Sequence, residues 1–135
     1  MWRGADAAAT LIALKGRAVV ASEGYVLTEI WSAQQSWRDL AEDERRRYIE
    51  ETVNPFLGSM VEQGAEILGC AFNDNSGTER IDHDFMAIWR LPDKAFSDRL
   101  EAGAKAIGFL DYFDQVNFSG VLIDPPALNA HLIAS

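Results

Sequence analysis

Residues 83–120 read HDFMAIWRLP, DKAFSDRLEAGAKAIG and FLDYFDQVNFSG, and this stretch decides the fold. In its first part Phe85, Ala87 and Trp89 alternate with Met86, Ile88 and Arg90, the two-residue period of a strand over residues 83–91. Pro92 cannot donate to a ladder and stops that strand. Asp93 is then placed to cap a helix. Phe96, Leu100, Gly103 and Ile107 recur at three- and four-residue steps until Gly108 closes the element. Residues 115–123 return to strand character and end at Pro125-Pro126. Strand, helix, strand is the plan.

Upstream, residues 25–72 carry a looser copy of it. The β-branched and aromatic run YVLTEIWS, residues 25–32, reads as a first strand. Its alternation sets Tyr25, Leu27, Glu29 and Trp31 against Val26, Thr28 and Ile30, so both faces are apolar and both call for cover. Residues 34–38 read as a connection that holds Trp37. A helix follows over residues 41–63, its stripe formed by Tyr48, Thr52 or Val53, Phe56 and Met60. Glu42, Asp43 and Glu44 favour its start through the helix dipole. Pro55 removes one backbone bond and predicts a kink near Thr52, and Gly64 is the expected terminator. Residues 65–72 form the next strand, and the turn-rich NDNSG at 73–77 begins the link to residue 82.

The resulting order, β-α-β-β-α-β, predicts an α+β, ferredoxin-like domain over residues 24–124. Its four-stranded antiparallel sheet has two helices on one face. Residues 1–23 are set aside as an Ala-rich tail or short helix, and residues 125–135 as a C-terminal tail. Two helices cover only one sheet face. The other carries apolar side chains too, and a second copy packed sheet to sheet would cover it, so a homodimer is expected.

Composition narrows the function. Twenty-one acidic residues against 12 Lys and Arg give a net charge of −9, which argues against nucleic acid as a partner. The single basic cluster, Arg45-Arg46-Arg47, lies among Glu42, Asp43, Glu44, Glu50 and Glu51 and reads as a solvated helix face. Cys70 is the only cysteine, which excludes an intrachain disulfide and a multi-thiolate zinc site. Its apolar surroundings predict a buried, inert thiol. Two histidines without ligand spacing predict no metal centre. No apolar run approaches the roughly 20 residues of a membrane span, so no membrane partner and a cytoplasmic location are expected.

The candidate site residues follow from polarity out of place. Glu29 interrupts an apolar strand. Burial there would raise its pKa toward that of a general base, unless Arg90 on the next strand pairs with it or it is exposed at a sheet edge. His83, flanked by Asp82 and Asp84, is the other proton-handling candidate, with exposure at the strand start as the plainer reading. Asn73, Gln115 and Asn117 are amides near strand ends, suited to orient a polar ligand group or stabilise a developing oxyanion, or else to structural hydrogen bonds. Trp31, Phe85, Trp89, Tyr112 and Phe113 would either wall an apolar pocket or form plain core.

A ferredoxin-like chain with two apolar sheet faces resembles the dimeric α/β-barrel superfamily. EIW at 29–31, RRRYIE at 45–50, CAFN at 70–73, DFMAIW at 84–89 and DYFDQVN at 111–117 look like a small bacterial family of unknown function within it. The resemblance spans about residues 25–124. It implies a homodimer and a pocket between sheet and helices. It also implies an activity among those of small cofactor-independent monooxygenases, haem-degrading enzymes and muconolactone isomerases. Haem-degrading members share an Asn, a Trp and an iron-ligating His on a helix. Trp31 or Trp89 matches the Trp, but His83 opens a strand and His131 lies in the tail, so no cofactor is expected. The functions in view are a proton-handling enzyme acting on a small apolar or aromatic molecule, a non-catalytic binder of such a molecule, and a purely structural dimer module.

Overall fold

The structure is a computed structural model that describes the backbone from residue 21 and the side chains from residue 24 onward. Of the expected tail or short helix at residues 1–23, residues 1–20 lie outside the described residues, and the backbone of residues 21–23 is extended strand. Four strands, β1 (Ala21–Ala33), β2 (Glu66–Phe72), β3 (Phe85–Leu91) and β4 (Phe113–Ile123), form one antiparallel sheet in the order β2-β3-β1-β4. This is the ferredoxin-like arrangement expected, with its helices on one side.

Among the described residues five α-helices join the strands, α1 (Gln35–Arg38), α2 (Glu42–Tyr48), α3 (Asn54–Glu62), α4 (Lys94–Ala106) and α5 (Phe109–Tyr112), and a sixth, α6 (Pro125–Ala134), follows β4. Two of them correct the sequence reading. Residues 34–38, expected as a connection, form the single turn α1. It is tied to α5, because Gln34 N, Gln34 Nε2 and Ser36 Oγ donate to the carbonyls of Tyr112, Leu110 and Asp111. The C-terminal tail is the ten-residue α6, begun by Asp124, whose buried carboxylate accepts from Ala127 N, and by prolines in the first turn, where no N–H is needed. His131 therefore lies on a helix after all, exposed near its end.

The kink at Pro55 takes a definite form. Between α2 and α3 the backbone runs as a π-helical turn, Ile49–Val53, in which Asn54 N–H reaches back five residues to Ile49 O. Pro55 has no N–H to give and its ring would press on the carbonyl four residues back. A widened turn just before it removes both conflicts. Gly64, at φ +122°, turns the chain from α3 into β2 in a backbone region that side chains disfavour.

Register sorts the sheet's side chains. Leu27, Glu29 and Trp31 of β1 lie beside Trp89, Ala87 and Phe85 on β3 and beside Ser119, Asn117 and Gln115 on β4, all on the helix side. There Leu27, Trp89 and Leu91 meet Met60 of α3 and Phe96 and Leu100 of α4 in a closed core. Full burial of each such side chain contributes about 1.5–3 kcal/mol. The opposite face shows Val116 and Phe118, 44% and 69% exposed, beside half-buried Thr28, Ile30, Met86 and Ile88.

Candidate functional site

The helix side of the sheet does not close completely. Between β1, β3 and β4, the π-helical turn, α3 and α4 lies a cavity of about 280 Å³. Its walls are Trp31 and Trp89 from the sheet, Ile49, Val53 and Phe56 from the helical layer, and Phe109 and Phe113 around α5. Gly108, at φ +83°, ends the α4 segment and swings Phe109 back over the sheet, where it stacks on Phe113 at 4.4 Å between ring centroids. The Pro55-linked π turn likewise presents both Ile49 and Val53 to the same space.

Glu29 is the charge in this apolar wall. It is only 9% exposed, and its two oxygens are held separately: Trp89 Nε1 donates to Oε1 at 2.8 Å and Gln115 Nε2 to Oε2 at 2.9 Å. Trp89 stands opposite Leu27 and Gln115 opposite Trp31, so each donor reaches Glu29 diagonally from a neighbouring strand. Burial pushes the Glu29 pKa up, the two N–H bonds pull it down, and the nearby negative charge of Glu101 pushes it up again. The balance is a raised pKa. The pairing with Arg90 considered from sequence does not form. Arg90 lies one residue out of phase, on the opposite face, with Glu66 at 3.9 Å. Among the described residues, Glu29 has no cationic partner.

A polar chain runs outward from Glu29. Gln115 Nε2 also donates to Asn117 Oδ1 (2.8 Å), Asn117 Nδ2 donates to Glu101 Oε1 (3.0 Å), and Ser97 Oγ donates to Glu101 Oε2 (3.3 Å). It links the cavity to α4. Glu101 has no sequence signature that marks it. It appears as one more polar residue on an amphipathic helix, and only the packing of α4 on β4 brings it to Asn117.

The structure therefore gathers five of the residues singled out from sequence, Glu29, Trp31, Trp89, Phe113 and Gln115, around one cavity, with Asn117 behind them. Phe85 and Phe72 pack with Trp31 and Cys70 beside a neighbouring hollow at the β2 end of the sheet. Tyr112 lies elsewhere, against Trp37 and Tyr48. The Tyr48 hydroxyl, pushed up to about 12 by burial and by neighbouring Tyr112 and Asp111, donates to Ile107 O and is structural. Asn73 also serves the backbone: its Nδ2 donates to Ile81 O and His83 O and closes the loop before β3. His83 stands at that loop with Nε2 3.6 Å from Asp114 Oδ2, outside the cavity lining.

Cys70 differs from expectation. It is exposed, because β2 is an edge strand, and it lines the cavity. Strict alternation from Ile67 would send Cys70 to the far face. A bulge between Ile67 and Gly69 resets the phase, so that Ile67 pairs with Trp89 and Cys70 with Ala87 on the same side. Among the described residues no cluster of His, Cys, Asp and Glu could hold a metal ion, and no helix is long and apolar enough to cross a membrane.

Comparison with known proteins agrees with the fold. No curated protein matches the sequence. Among solved structures, the crystal structure of a candidate chlorite dismutase superposes with a TM-score of 0.61 at 17% identity over 82% of this chain. The matched region is 48% of that protein, so this chain spans about half its length. At that identity the likeness concerns the fold alone, a four-stranded antiparallel sheet with helices on one side. The profile of a family of unknown function, DUF6616, matches residues 24–135, which takes in all of the sheet but the first three residues of β1, the Glu29 cavity and α6. The chain belongs to the family of unknown function DUF6616.

Proposed function

We propose that this protein is a small homodimeric enzyme in which Glu29 takes a proton from a neutral apolar or aromatic molecule bound in the cavity. Proton removal is a first step that cofactor-independent monooxygenases and isomerases can share. The observation that carries the reading is Glu29 itself: a carboxylate sunk among aromatic walls, its pKa raised by burial, with no cation beside it among the described residues. Such a group is a stronger base than a solvated carboxylate and is suited to general-base work near neutral pH. The volume suits a ligand of one or two rings, since roughly 150 Å³ already accommodates benzene.

The test uses 5-nitrobenzisoxazole, which opens to a nitrile and a phenolate when a base removes its single activated C–H proton. Acceleration by the protein that disappears in Glu29→Gln supports the proposal. An unchanged rate in that variant removes Glu29 from the chemistry. The second reading, a binder without chemistry, has one observation in its favour: both Glu29 oxygens are already engaged by N–H donors. It predicts tight binding of a co-purifying molecule with no acceleration.

The dimer forms through the sheet face that carries Val116 and Phe118, which offers the exposed apolar surface a stable interface requires. Native mass spectrometry is expected to give twice the chain mass, and Phe118→Glu to give a folded monomer. A wild-type monomer would end this part of the proposal.

A further inference from the structure

The polar chain behind Glu29 has a direction, and that direction selects the ligand. Its outer end is the Glu101 carboxylate, which receives Asn117 Nδ2 and Ser97 Oγ. Turning the Asn117 amide over would set Oδ1 against that carboxylate, so Asn117 must present its oxygen to Gln115. Gln115 must in turn present Nε2, which it does to Asn117 Oδ1 and Glu29 Oε2 together. A reversed Gln115 would face oxygen against oxygen at Asn117. The charged end thus fixes both amides. What remains is Gln115 Oε1, which is buried and without a hydrogen-bond partner among the described residues, on a side chain that lines the cavity.

An acceptor that does not titrate, held in place and unmatched, calls for a donor from the ligand. Burying such an acceptor without a partner carries a desolvation cost that a donating ligand would offset. Of the amide and indole donors that line the cavity, Trp89 Nε1 and Gln115 Nε2 already serve Glu29, and Asn54 of α3 is exposed. A ligand carbonyl beside Gln115 Oε1 would set acceptor against acceptor, and a ligand anion would meet Glu29 and, behind it, Glu101. We infer that the cavity takes a neutral aromatic molecule carrying a hydroxyl, of the phenol or aromatic-alcohol class, which donates to Gln115 Oε1. The inference rests on the Glu29 cavity being the ligand site and adds which chemistry it accepts. It also makes Gln115 a specificity-determining residue and Glu101 and Asn117 positioning residues.

The deciding experiment compares 2-naphthol with 2-methoxynaphthalene by calorimetric titration into the intact protein. The two share ring and shape and differ in one donor. Naphthol is expected to bind about tenfold more tightly, the worth of roughly one hydrogen bond recovered. In Gln115→Met the ratio should fall to near one, through loss of naphthol affinity rather than gain for the ether. Ether binding as tight as naphthol in the wild type overturns the donor inference and leaves the cavity as the ligand site. Binding of neither probe overturns the cavity assignment, and this inference with it. The wild-type comparison stands even if Gln115→Met does not fold.

Discussion

Trp89 Nε1 donates a 2.8 Å hydrogen bond to Glu29 Oε1 across adjacent strands, and both side chains are buried. The indole therefore has two tasks: its rings belong to the core and its one polar atom helps an acid tolerate burial. Trp89→Phe keeps most of the apolar area and deletes the donor. It is expected to cost about 2 kcal/mol, the range for a hydrogen bond to a charged group. It should also raise the Glu29 pKa further, because that bond is one of the two lowering it. Urea denaturation measures the first effect, and a carbon-13 titration of the Glu29 carboxyl measures the second. A Glu29 titration unmoved in Trp89→Phe would contradict the role given to this bond.

Glu29 also sets a pH dependence of stability with a definite sign. Its folded pKa lies above the unfolded value of 4.5, so the folded state holds the proton more tightly. Below 4.5 the group is protonated in both states and costs nothing by ionising. As pH rises through 4.5 and then through the raised folded value, the unfolded state gains from ionising first and stability falls. Glu29→Gln cannot ionise. Its stability relative to the wild type should therefore climb with pH across that window and level off above it. Denaturation midpoints of both proteins between pH 4 and pH 8 give the slope. A flat difference would mean that Glu29 has an ordinary pKa.

Gly103 of α4 gives Phe56 its place in the cavity wall. A Cβ at position 103 would lie 2.4 Å from Phe56 Cε1 and 2.7 Å from Cζ, so the ring must move. Gly103→Ala gains about 1 kcal/mol of helix propensity and meets an overpacking cost of about 1–3 kcal/mol. The expected net result is a loss of about 1 kcal/mol in stability, with weaker binding of two-ring probes as Phe56 shifts. Thermal melts and naphthol titration check the two parts separately.

Asn73 separates loop closure from ligand binding. Its amide holds Ile81 O and His83 O, so Asn73→Ala leaves two carbonyls without that partner and should cost about 1–2 kcal/mol. Because the cavity lining does not include it, affinity for naphthol should stay within error. A large change in affinity at unchanged stability would restore Asn73 as a ligand residue.

Much of this was legible in residues 83–120 for local reasons. Asp93 caps α4 through Phe96 N, Gly108 adopts the left-handed backbone that ends it, and Pro92 follows the last residue of β3. Each signal acts within a few residues and survives any tertiary context. The same holds for Pro55, whose missing N–H announced a helix defect that takes the form of a π turn. Glu29 was conspicuous as an acid in an apolar strand. Its partners were not, because Trp89 lies 60 residues away and Gln115 86, and only strand register brings them together.

Cys70 and His131 show the limit from the other side. The apolar run around Cys70 predicted burial, but β2 is an edge strand and leaves the thiol exposed, and the short tail that holds His131 is a helix begun by the Asp124 cap and its prolines. The sequence alone determined the order of the four strands and the two main helical segments, the stops and cap around α4, and the presence of one misplaced carboxylate, because those follow from short-range backbone and side-chain preferences. Tertiary structure alone decided what surrounds that carboxylate: the two donors on its oxygens, the directed amide chain to Glu101, and the unmatched acceptor at Gln115. Register, bulge and helix-on-sheet packing are non-local, so no spacing along the chain encodes them one residue at a time.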